Sequence, residues 1–511
     1  MCINQKKSII YFSPHQNDEL LTMNNDICNS LNNNWDVHVI LCTNEKLTVV
    51  EARRLILHYI KDMGKSSVVC TIAPDNGDRK PPTHKALGYA AKELFDEGKI
   101  RLLKLFVDPL NVNYQSSYHS NVPAPKSVPV MVYASRQEKE NLKNAGIAYT
   151  LWQTEVNSYG IKCHRSTRGF DGLLKNGVSY YYNYACRQGS KKLIVSLTSY
   201  PARIHCLAQS LATIYRQTML PDEVVLWLAE SQFPKKLKDL PADLLKLVTE
   251  KKLSVQWCED DLKSHKKYFY AFKKYPDALV ITIDDDILYH PRLIENLYAS
   301  WILHPNAVSV FRAHLILISE TGRILPYKEW VKDMDVCVSK PSMQLLATNG
   351  AGSLYPTALF TKAYDLLDID TIKRTCPFAD DLWLKAMQLV ADIPVVVAER
   401  CKRLLEVPDS QIVNLWTDNC KNGGNDKQLM QIIQEIDCRY GKNTFLKKLL
   451  QADKNDNLAD EETLRKLVKH YQDKTDEMVK EKRIFDWNRN IAESGWPFRV
   501  KQIVGWLLGK V

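Results

Sequence analysis

Three consecutive aspartates follow a strand-like run in the middle of the chain. Residues 280–283 are typical of a buried strand, and Asp284, Asp285 and Asp286 come directly after them. The carboxyl end of a strand faces the ligand crevice of an open α/β sheet, and alternate residues of an extended segment project to the same side. We therefore expect Asp284 and Asp286 to approach one cation while Asp285 points elsewhere. Carboxylate oxygens suit hard divalent ions that also bind substrate phosphates, so the triplet predicts a Mn2+ or Mg2+ site.

Two acidic groups, the triplet and the pair Asp380 and Asp381, also have purely structural interpretations. The triplet could be an acidic turn that caps a strand, but three like charges beside a buried strand are unfavourable without a cation. Asp380 and Asp381 precede a helical stretch. A carboxylate at a helix N-terminus caps the helix and is kept ionised by the helix dipole, so capping alone would explain one aspartate of the pair.

Basic and small residues accompany these carboxylates. Arg203 follows a predicted strand, and its guanidinium can offer a two-pronged donor to phosphate or base. Lys266 and Lys267 lie just before the acidic triplet, where solvated helix residues are the alternative interpretation. The small-residue run at 349–352 lets backbone amides come close to a ligand, although taken alone it would be only a turn.

Alternating strands and helices must position these residues. In the N-terminal part we expect strands at 8–12, 37–42 and 67–72, and helices at 49–63 and 85–95. This alternation predicts a layered, Rossmann-like α/β domain with a largely parallel sheet over residues 1–187.

A short polar segment at 187–192 separates this domain from a second α/β unit that starts at Leu193. There, Leu207, Leu211 and Ile214 share one face of a predicted helix. Strands are expected at 193–197, 224–228, 254–257, 279–283, 307–311 and 395–398. Beyond residue 426 the chain is charged and helix-forming. We therefore predict three domains, at 1–187, 191–426 and 427–511.

The bulk composition agrees with several soluble domains. A chain of 511 residues is too long for a single core. Its apolar and charged fractions, 45% and 25%, are those of ordinary globular proteins. The net charge of +10 fits an anionic substrate or a membrane surface, and no dense basic tract with interleaved aromatic residues points to nucleic acid. The 13 cysteines include no C-x-x-C pair, which indicates free thiols in a reducing cytoplasm.

The two ends of the chain bear on membrane contact. The N-terminus lacks the features of a signal peptide, and the apolar runs are strand-sized, so any membrane contact should be peripheral. The segment 499–511 has apolar residues on one helical face and basic residues elsewhere. Such a helix can lie at a membrane interface or dock on its own protein. We expect a cytoplasmic protein, with the inner face of the membrane as the place of any peripheral contact.

Five blocks in the segment 191–426 carry a family resemblance. They are residues 196–204 (SLTSYPARI), 261–286, 312–314 (RAH), 349–356 (NGAGSLYP) and 379–385 (ADDLWLK). In this order they resemble a bacterial family of GT-A-fold, family-2-like glycosyltransferases from surface polysaccharide synthesis. The resemblance implies a nucleotide-sugar donor, a carbohydrate or lipid-linked saccharide acceptor, and no nucleic-acid partner.

The same resemblance implies a role for each matched residue. Asp284 and Asp286 would bind Mn2+ or Mg2+, and Asp381, with Asp380 as second choice, would deprotonate the acceptor hydroxyl in an inverting reaction. The donor-binding residues would be Thr198, Arg203, Lys266, Lys267, Asp285, Asn349 and Gly350. The later part of the family pattern is echoed at 414–416 and 422–426, but no histidine there could be a third metal ligand.

Two N-terminal motifs match a second family. They read SPHQNDELL at 13–21 and PPTHKAL at 81–87. They resemble the PIG-L-type zinc deacetylases of N-acetylated sugars, which implies a Zn2+ site made by His15, Asp18 and His84. Asn17 stands where that family has its general-base aspartate, and Pro81 replaces a histidine. The resemblance therefore implies a degenerate deacetylase, with an active one and unrelated loop histidines as alternatives.

Three functional interpretations follow. The first is a metal-dependent glycosyltransferase with a deacetylase-like N-terminal domain. The second is a bifunctional enzyme that also removes acetyl groups. The third is a non-catalytic carbohydrate-binding scaffold with two relict sites.

Overall fold

Strands and helices alternate along most of the chain in the computed structural model. Its described residues are 7–14, 23–44, 46–63, 68–73, 82–107, 130–134, 136–157, 160–169, 177–187, 189–399, 404–408, 410, 423–452, 456, 458 and 460–493. His15, Asn17, Asp18, Pro81 and the segment 499–511 lie outside these residues, so the predictions made for them stay predictions.

The internal contacts divide the structure into two compact units. Unit 1 comprises Met1–Gly189 together with Lys480–Val511, and unit 2 is Ser190–Val479. The division after Gly189 falls within the polar segment where the sequence places a domain boundary. The helical residues that follow position 423 group with the two units, and the predicted three-domain organisation stays a prediction.

Unit 1 is built around an eight-stranded mixed sheet. Its strands are β1 (Ser8–Ser13), β2 (Asp36–Cys42), β3 (Val68–Ile72), β4 (Leu102–Val107), β5 (Val130–Ala134), β6 (Ala148–Asn157), β7 (Gly160–Gly169) and β8 (Gly177–Ala185). Its helices are α1 (Asn24–Asn32), α2 (Val49–Met63), α3 (Pro82–Asp96) and α4 (Arg136–Asn144). The strand order is β5-β8-β4-β3-β1-β2-β6-β7. The five strands from β4 to β6 in this order are parallel, as expected from the sequence, and β5, β7 and β8 are antiparallel to their neighbours.

Unit 2 contains a seven-stranded mixed sheet and two short ribbons. Its strands are β9 (Leu193–Thr198), β10 (Glu223–Ala229), β11 (Ser254–Cys258), β12 (Leu279–Thr282), β13 (Ile287–Leu288), β14 (Val308–Val310), β15 (Ala313–Leu315), β16 (Leu345–Ala347), β17 (Ser353–Pro356), β18 (Val395–Val397) and β19 (Leu405–Glu406). Its helices are α5 (Leu207–Ile214), α6 (Ala242–Thr249), α7 (Lys266–Lys274), α8 (Leu293–Leu303), α9 (Ile369–Thr375), α10 (Asp380–Val390), α11 (Gly424–Tyr440) and α12 (Thr444–Leu450). A final helix, α13 (Glu461–Glu493), contributes residues to both units.

The main sheet of unit 2 changes strand direction in its middle. The order is β11-β10-β9-β12-β17-β14-β18, and the four strands β11, β10, β9 and β12 are parallel. β17 is antiparallel to both of its neighbours. The carboxyl ends of β9 and β12 therefore open at one edge of the sheet, beside the start of β17.

Apolar burial holds this edge in place. All four residues of β12 are buried, and helix α7 packs against β9, β10 and β12. Leu207, Leu211 and Ile214 of α5 are fully buried, which confirms the predicted apolar face. Each such side chain contributes about 1.5–3 kcal/mol through burial, so α5 is firmly packed in unit 2.

No helix among the described residues is long and apolar enough to span a bilayer.

Candidate active site

The candidate site of unit 2 lies at the carboxyl edge of β9 and β12. These strands are parallel neighbours, with Thr282 beside Ser196. The residues that follow them, Ser199 and the acidic triplet, consequently meet at that edge. In parallel sheets this edge is where ligands bind.

The acidic triplet adopts a turn and not the extended conformation assumed from the sequence. β12 ends at Thr282, and Asp285 and Asp286 lie in a turn. The extended conformation on which the expected division rested is therefore not observed, and the assignment of Asp284 and Asp286 to one cation stays a prediction. A turn breaks the alternation of side chains that an extended strand would impose.

One arginine joins the last two carboxylates of the triplet. Nη2 of Arg203 is 2.8 Å from Oδ1 of Asp285, and Nη1 contacts Oδ2 of Asp286. Asp285 is 2% exposed and also accepts a 2.5 Å hydrogen bond from the hydroxyl of Ser199. Burial raises the pKa of Asp285 to about 6, although the charge of Arg203 acts in the opposite direction.

Asp284 has different partners. Its Oδ1 is 2.6 Å from Nζ of Lys267. Its backbone N–H donates to the hydroxyl of Tyr289 at 2.7 Å, and that hydroxyl donates to the carbonyl of Gly350 at 2.6 Å. The buried Tyr289 thus ties the triplet to the small-residue loop that the sequence indicates.

Gly350 is required by close packing. A Cβ atom at this position would lie 1.9 Å from Oδ2 of Asp284, far inside the contact distance of real Cβ atoms. Any side chain at position 350 would therefore displace the carboxylate or the loop. This explains why the loop needs glycine where it approaches Asp284.

Lys267 bridges the two acidic groups that the sequence identified separately. Its ammonium is 2.6 Å from Asp284 and 3.1 Å from Oδ2 of Asp380, and its side chain is 3% exposed. Burial lowers the pKa of Lys267, but Asp284, Asp380 and Asp381 together outweigh burial and raise that pKa above its usual value. Lys267 is therefore a permanent cation between the two acidic groups.

Asp380 and Asp381 open helix α10, and their carboxylates bind the loop at Asn349. The side-chain amide of Asn349 donates to Asp380 at 3.1 Å, and its backbone N–H donates to Asp381 at 2.9 Å. The helix cap residue is Ala379, and no side chain caps the helix. The capping interpretation therefore does not describe these two aspartates.

The two aspartates of α10 have opposite pKa shifts. Burial raises the pKa of Asp380, but the charges of Lys267 and His265 and the Asn349 hydrogen bond outweigh it and hold the pKa below its usual range. Burial and the adjacent charge of Asp380 raise the pKa of Asp381 to about 7. Asp381 is also the more exposed of the two. A half-buried carboxyl group that titrates near neutrality is suited to proton transfer.

Three further residues complete the site and were not predicted. They are Ser199, Tyr289 and Tyr355, whose hydroxyl donates to the side-chain oxygen of Asn349. Ser199 and Tyr355 lie inside the sequence blocks that carry the family resemblance, and Tyr289 follows the triplet by three residues. That proximity in sequence was the only available signal.

Two predicted donor-binding residues have other partners in the structure. The hydroxyl of Thr198 donates to the carbonyl of Trp227 at 2.7 Å. Lys266 is 2% exposed, and its ammonium is 2.5 Å from Asp261. Consecutive helical residues point about 100° apart, so α7 directs only Lys267 towards the triplet.

The two carboxylates predicted to hold a divalent ion at this edge are paired with Lys267 and Arg203 in the structure. The side chains of Asp284 and Asp286 are 37% and 10% exposed. Within the described residues, no group of three or more His, Cys, Asp or Glu side chains is suited to hold a metal ion by itself. Mg2+ is commonly held by one or two carboxylates together with substrate phosphates, and the metal site stays a prediction that rests on these two carboxylates.

The Zn2+ site predicted near the N-terminus lies only partly within the described residues. His84 is buried in the first turn of α3. His15 and Asp18 lie outside the described residues, so the Zn2+ site stays a prediction.

Comparisons with known proteins found distant structural matches. No family model and no curated protein matches the chain. Residues 1–349 of S. aureus TarS, in complex with UDP, align with 15% identity and a TM-score of 0.32, over 51% of this chain and 70% of that one. The mannosyltransferase PcManGT from Pyrobaculum calidifontis, in complex with GDP-Man and Mn2+, aligns with 12% identity and a TM-score of 0.31, over 63% and 81% of the two chains. Alignments with such low scores do not by themselves establish a shared fold.

Proposed function

We propose that unit 2 is a metal-dependent glycosyltransferase that moves a sugar from a nucleotide-sugar donor to a hydroxyl acceptor, with inversion at the anomeric carbon. The observation that carries this proposal is the chain of contacts from the triplet through Lys267 to Asp380, and from Asp380 through Asn349 to Asp381. It supports the proposal because it brings the acidic triplet and the two aspartates of α10 together at one edge of the sheet.

The acidic triplet, Asp284 to Asp286, forms what we call the acidic rim, and this rim would bind the diphosphate of the donor through a metal ion. Asp284 and Asp286 would hold a Mn2+ or Mg2+ ion, with Asp285 fixed behind them by Ser199. When bound, such an ion neutralises charge that develops on the departing diphosphate. Gly350 and Asn349 would border the donor sugar, because the loop at 349–351 lies directly between the triplet and α10.

Asp381 would act as the general base. The acceptor oxygen attacks the anomeric carbon, the bond from that carbon to the diphosphate oxygen breaks, and the acceptor proton passes to Asp381. Asp380 stays ionised against Lys267 and so maintains the negative charge that raises the pKa of Asp381. A single displacement needs no covalent intermediate on the protein.

A thermal-shift screen with nucleoside diphosphates and nucleotide sugars tests the binding step. A ligand at 100 times its Kd stabilises the native state by about 2.7 kcal/mol, so a matching nucleotide should raise the Tm clearly. We expect the increase with UDP or GDP only when Mn2+ or Mg2+ is present. An equal shift without metal, or no shift with any nucleotide, would contradict the proposal.

Catalysis separates the proposal from a carbohydrate-binding scaffold. We expect slow, metal-dependent hydrolysis of a nucleotide sugar by the full chain, and its loss in Asp286→Ala. A chain that binds nucleotide sugars but never releases the nucleoside diphosphate would be a scaffold.

A further inference from the structure

Arg203 is paired with two of the three carboxylates of the acidic triplet. Its guanidinium contacts the carboxylates of both Asp285 and Asp286. Asp286 is one of the two carboxylates proposed to bind the ion. A metal ion on the same carboxylate would lie close to the guanidinium, and the two positive charges would repel each other, so the two cations compete for Asp286.

The two internal cations of the rim differ in their freedom to move. Lys267 belongs to the first turn of α7, is 3% exposed, and is held by carboxylates on two sides. Arg203 lies in the turn segment after β9, is 17% exposed, and has the longer reach. Lys267 is therefore a fixed part of the site, whereas Arg203 can leave Asp286 by changing its side-chain conformation.

The guanidinium also carries one N–H donor that its contacts with the carboxylates leave unused. Within the described residues, the buried Nε of Arg203 has no hydrogen-bond partner. A buried donor without an acceptor is unfavourable, and a guanidinium binds phosphate best through a pair of parallel N–H groups. An anion beside Arg203 would satisfy that donor.

We propose that Arg203 is a built-in counter-cation which a metal ion displaces from Asp286, and that the released guanidinium then binds the diphosphate of the donor. This inference rests on the proposed function and deepens it. Arg203 would neutralise the rim before the donor arrives and would bind the leaving group afterwards. Metal alone should consequently bind weakly, because it must first displace the arginine.

Replacing Arg203 distinguishes this double role from support of the fold alone and from repulsion of the metal alone. In Arg203→Gln we expect Mn2+ alone to bind several-fold more tightly than in the wild type, because its competitor is gone. UDP or GDP in saturating Mn2+ should bind about tenfold to a hundredfold more weakly, the range expected for lost charge-assisted hydrogen bonds. The two affinities thus change in opposite directions.

The affinities are measured by isothermal titration calorimetry on the full chain, with Mn2+ alone and with UDP or GDP plus Mn2+. If Arg203 only supports the fold, both ligands bind more weakly in the variant. If it only repels the metal, both bind more tightly. Either uniform pattern overturns the inference while leaving the proposed function intact, provided that the wild type binds the metal and diphosphate together. A wild type that binds neither nucleotide overturns both.

Two further variants control this experiment. Arg203→Lys retains the charge but loses the paired donors, so its Mn2+ affinity should stay near that of the wild type while diphosphate affinity falls. It also serves if Arg203→Gln does not fold, and wild-type diphosphate affinity in Arg203→Lys would then overturn the inference. Arg216→Gln removes an exposed arginine beyond α5 and should change neither affinity.

Discussion

Asp380 and Asp381 are neighbours in sequence but have different electrostatic surroundings. Asp380 forms an ion pair with Lys267, whereas no ion pair to Asp381 is found in the described part of the chain. Burial therefore dominates at Asp381, and the adjacent Asp380 adds to its effect. The order of preference inferred from the sequence, with Asp381 first, and the catalytic role itself both stay proposals.

The pH dependence of transfer should report the ionisation of Asp381. Its pKa is raised to about 7, and only the ionised carboxylate can accept a proton. The rate should therefore fall as the pH decreases through that value and should level off above it. Asp381→Asn should lower kcat by about 10²–10⁴-fold, the usual contribution of a general base. A pH-independent rate between pH 5 and 8 would contradict this role.

Asp380→Asn should shift the acidic fall in rate, which reports the ionisation of Asp381, to lower pH. Removing the neighbouring negative charge stabilises ionised Asp381 and therefore lowers its pKa. The pH profile of kcat for this variant, compared with the wild type, measures the displacement. A pH dependence that stays in place or moves to higher pH would contradict this role of Asp380, and a loss of kcat as large as that of Asp381→Asn would indicate that Asp380 is itself the base.

Gly350→Ala should disturb the rim through Asp284 alone. The added methyl group would overlap Oδ2 of Asp284, so metal-dependent nucleotide binding should be weakened severely. Asp284→Ala removes the obstructing carboxylate. The double variant Gly350→Ala with Asp284→Ala should therefore bind nucleotide as Asp284→Ala does, and calorimetry can test this. Additive losses would place the effect of the alanine elsewhere, because independent sites add.

At the scale of secondary structure, much of unit 2 could be predicted from the sequence. The strands at β9 to β12 and the helix α5 are continuous apolar runs or have clear helical periodicity, and they are observed close to the expected positions. β17 was missed because it has only four residues, ends in proline and follows a glycine-rich turn. Its antiparallel pairing is a tertiary effect that no local pattern indicates.

The sequence predicted which residues lie at the site better than it predicted how those residues contact one another. Sequence reasoning named both acidic groups, Arg203 and Lys267, but treated Lys266 and Lys267 as equivalent. It also assumed an extended triplet, whereas the chain turns at Asp285. Which cation faces which carboxylate depends on how α7 and α10 dock on the sheet, and that docking is set by long-range packing.

Tyr289 links the acidic triplet to the loop at 349–351, and its hydroxyl should therefore contribute to stability and to nucleotide binding. Tyr289→Phe leaves the N–H of Asp284 and the carbonyl of Gly350 without this partner. Losing hydrogen bonds to buried groups costs about 1–3 kcal/mol. We expect a lower free energy of unfolding and weaker Mn2+-dependent nucleotide binding. Tyr298→Phe, on the neighbouring helix α8, is a matched control for stability; equal effects of both variants on nucleotide binding would argue against a specific link.

At the scale of the whole molecule, the two units carry separate candidate sites. His84 belongs to unit 1, and every residue of the proposed transferase site belongs to unit 2. His84→Ala should therefore leave the metal-dependent binding of UDP or GDP unchanged. Loss of that binding in a folded variant would show that the sites depend on each other.

The same variant tests for a second activity. Asn17 and Pro81 lead us to expect no release of acetate from an N-acetylhexosamine by the wild-type chain. Release of acetate that disappears in His84→Ala would instead establish the bifunctional alternative. A colorimetric or NMR assay for acetate decides between them.

Anomalous scattering from crystals grown with Mn2+ and saturating UDP or GDP tests the central claim most directly. We expect a manganese peak bonded to Asp286 or Asp284 and to diphosphate oxygens, with the guanidinium of Arg203 moved onto the nucleotide. A rim without manganese, in which Arg203 still contacts Asp285 and Asp286, would contradict the claim that this sheet edge binds a metal and a nucleoside diphosphate.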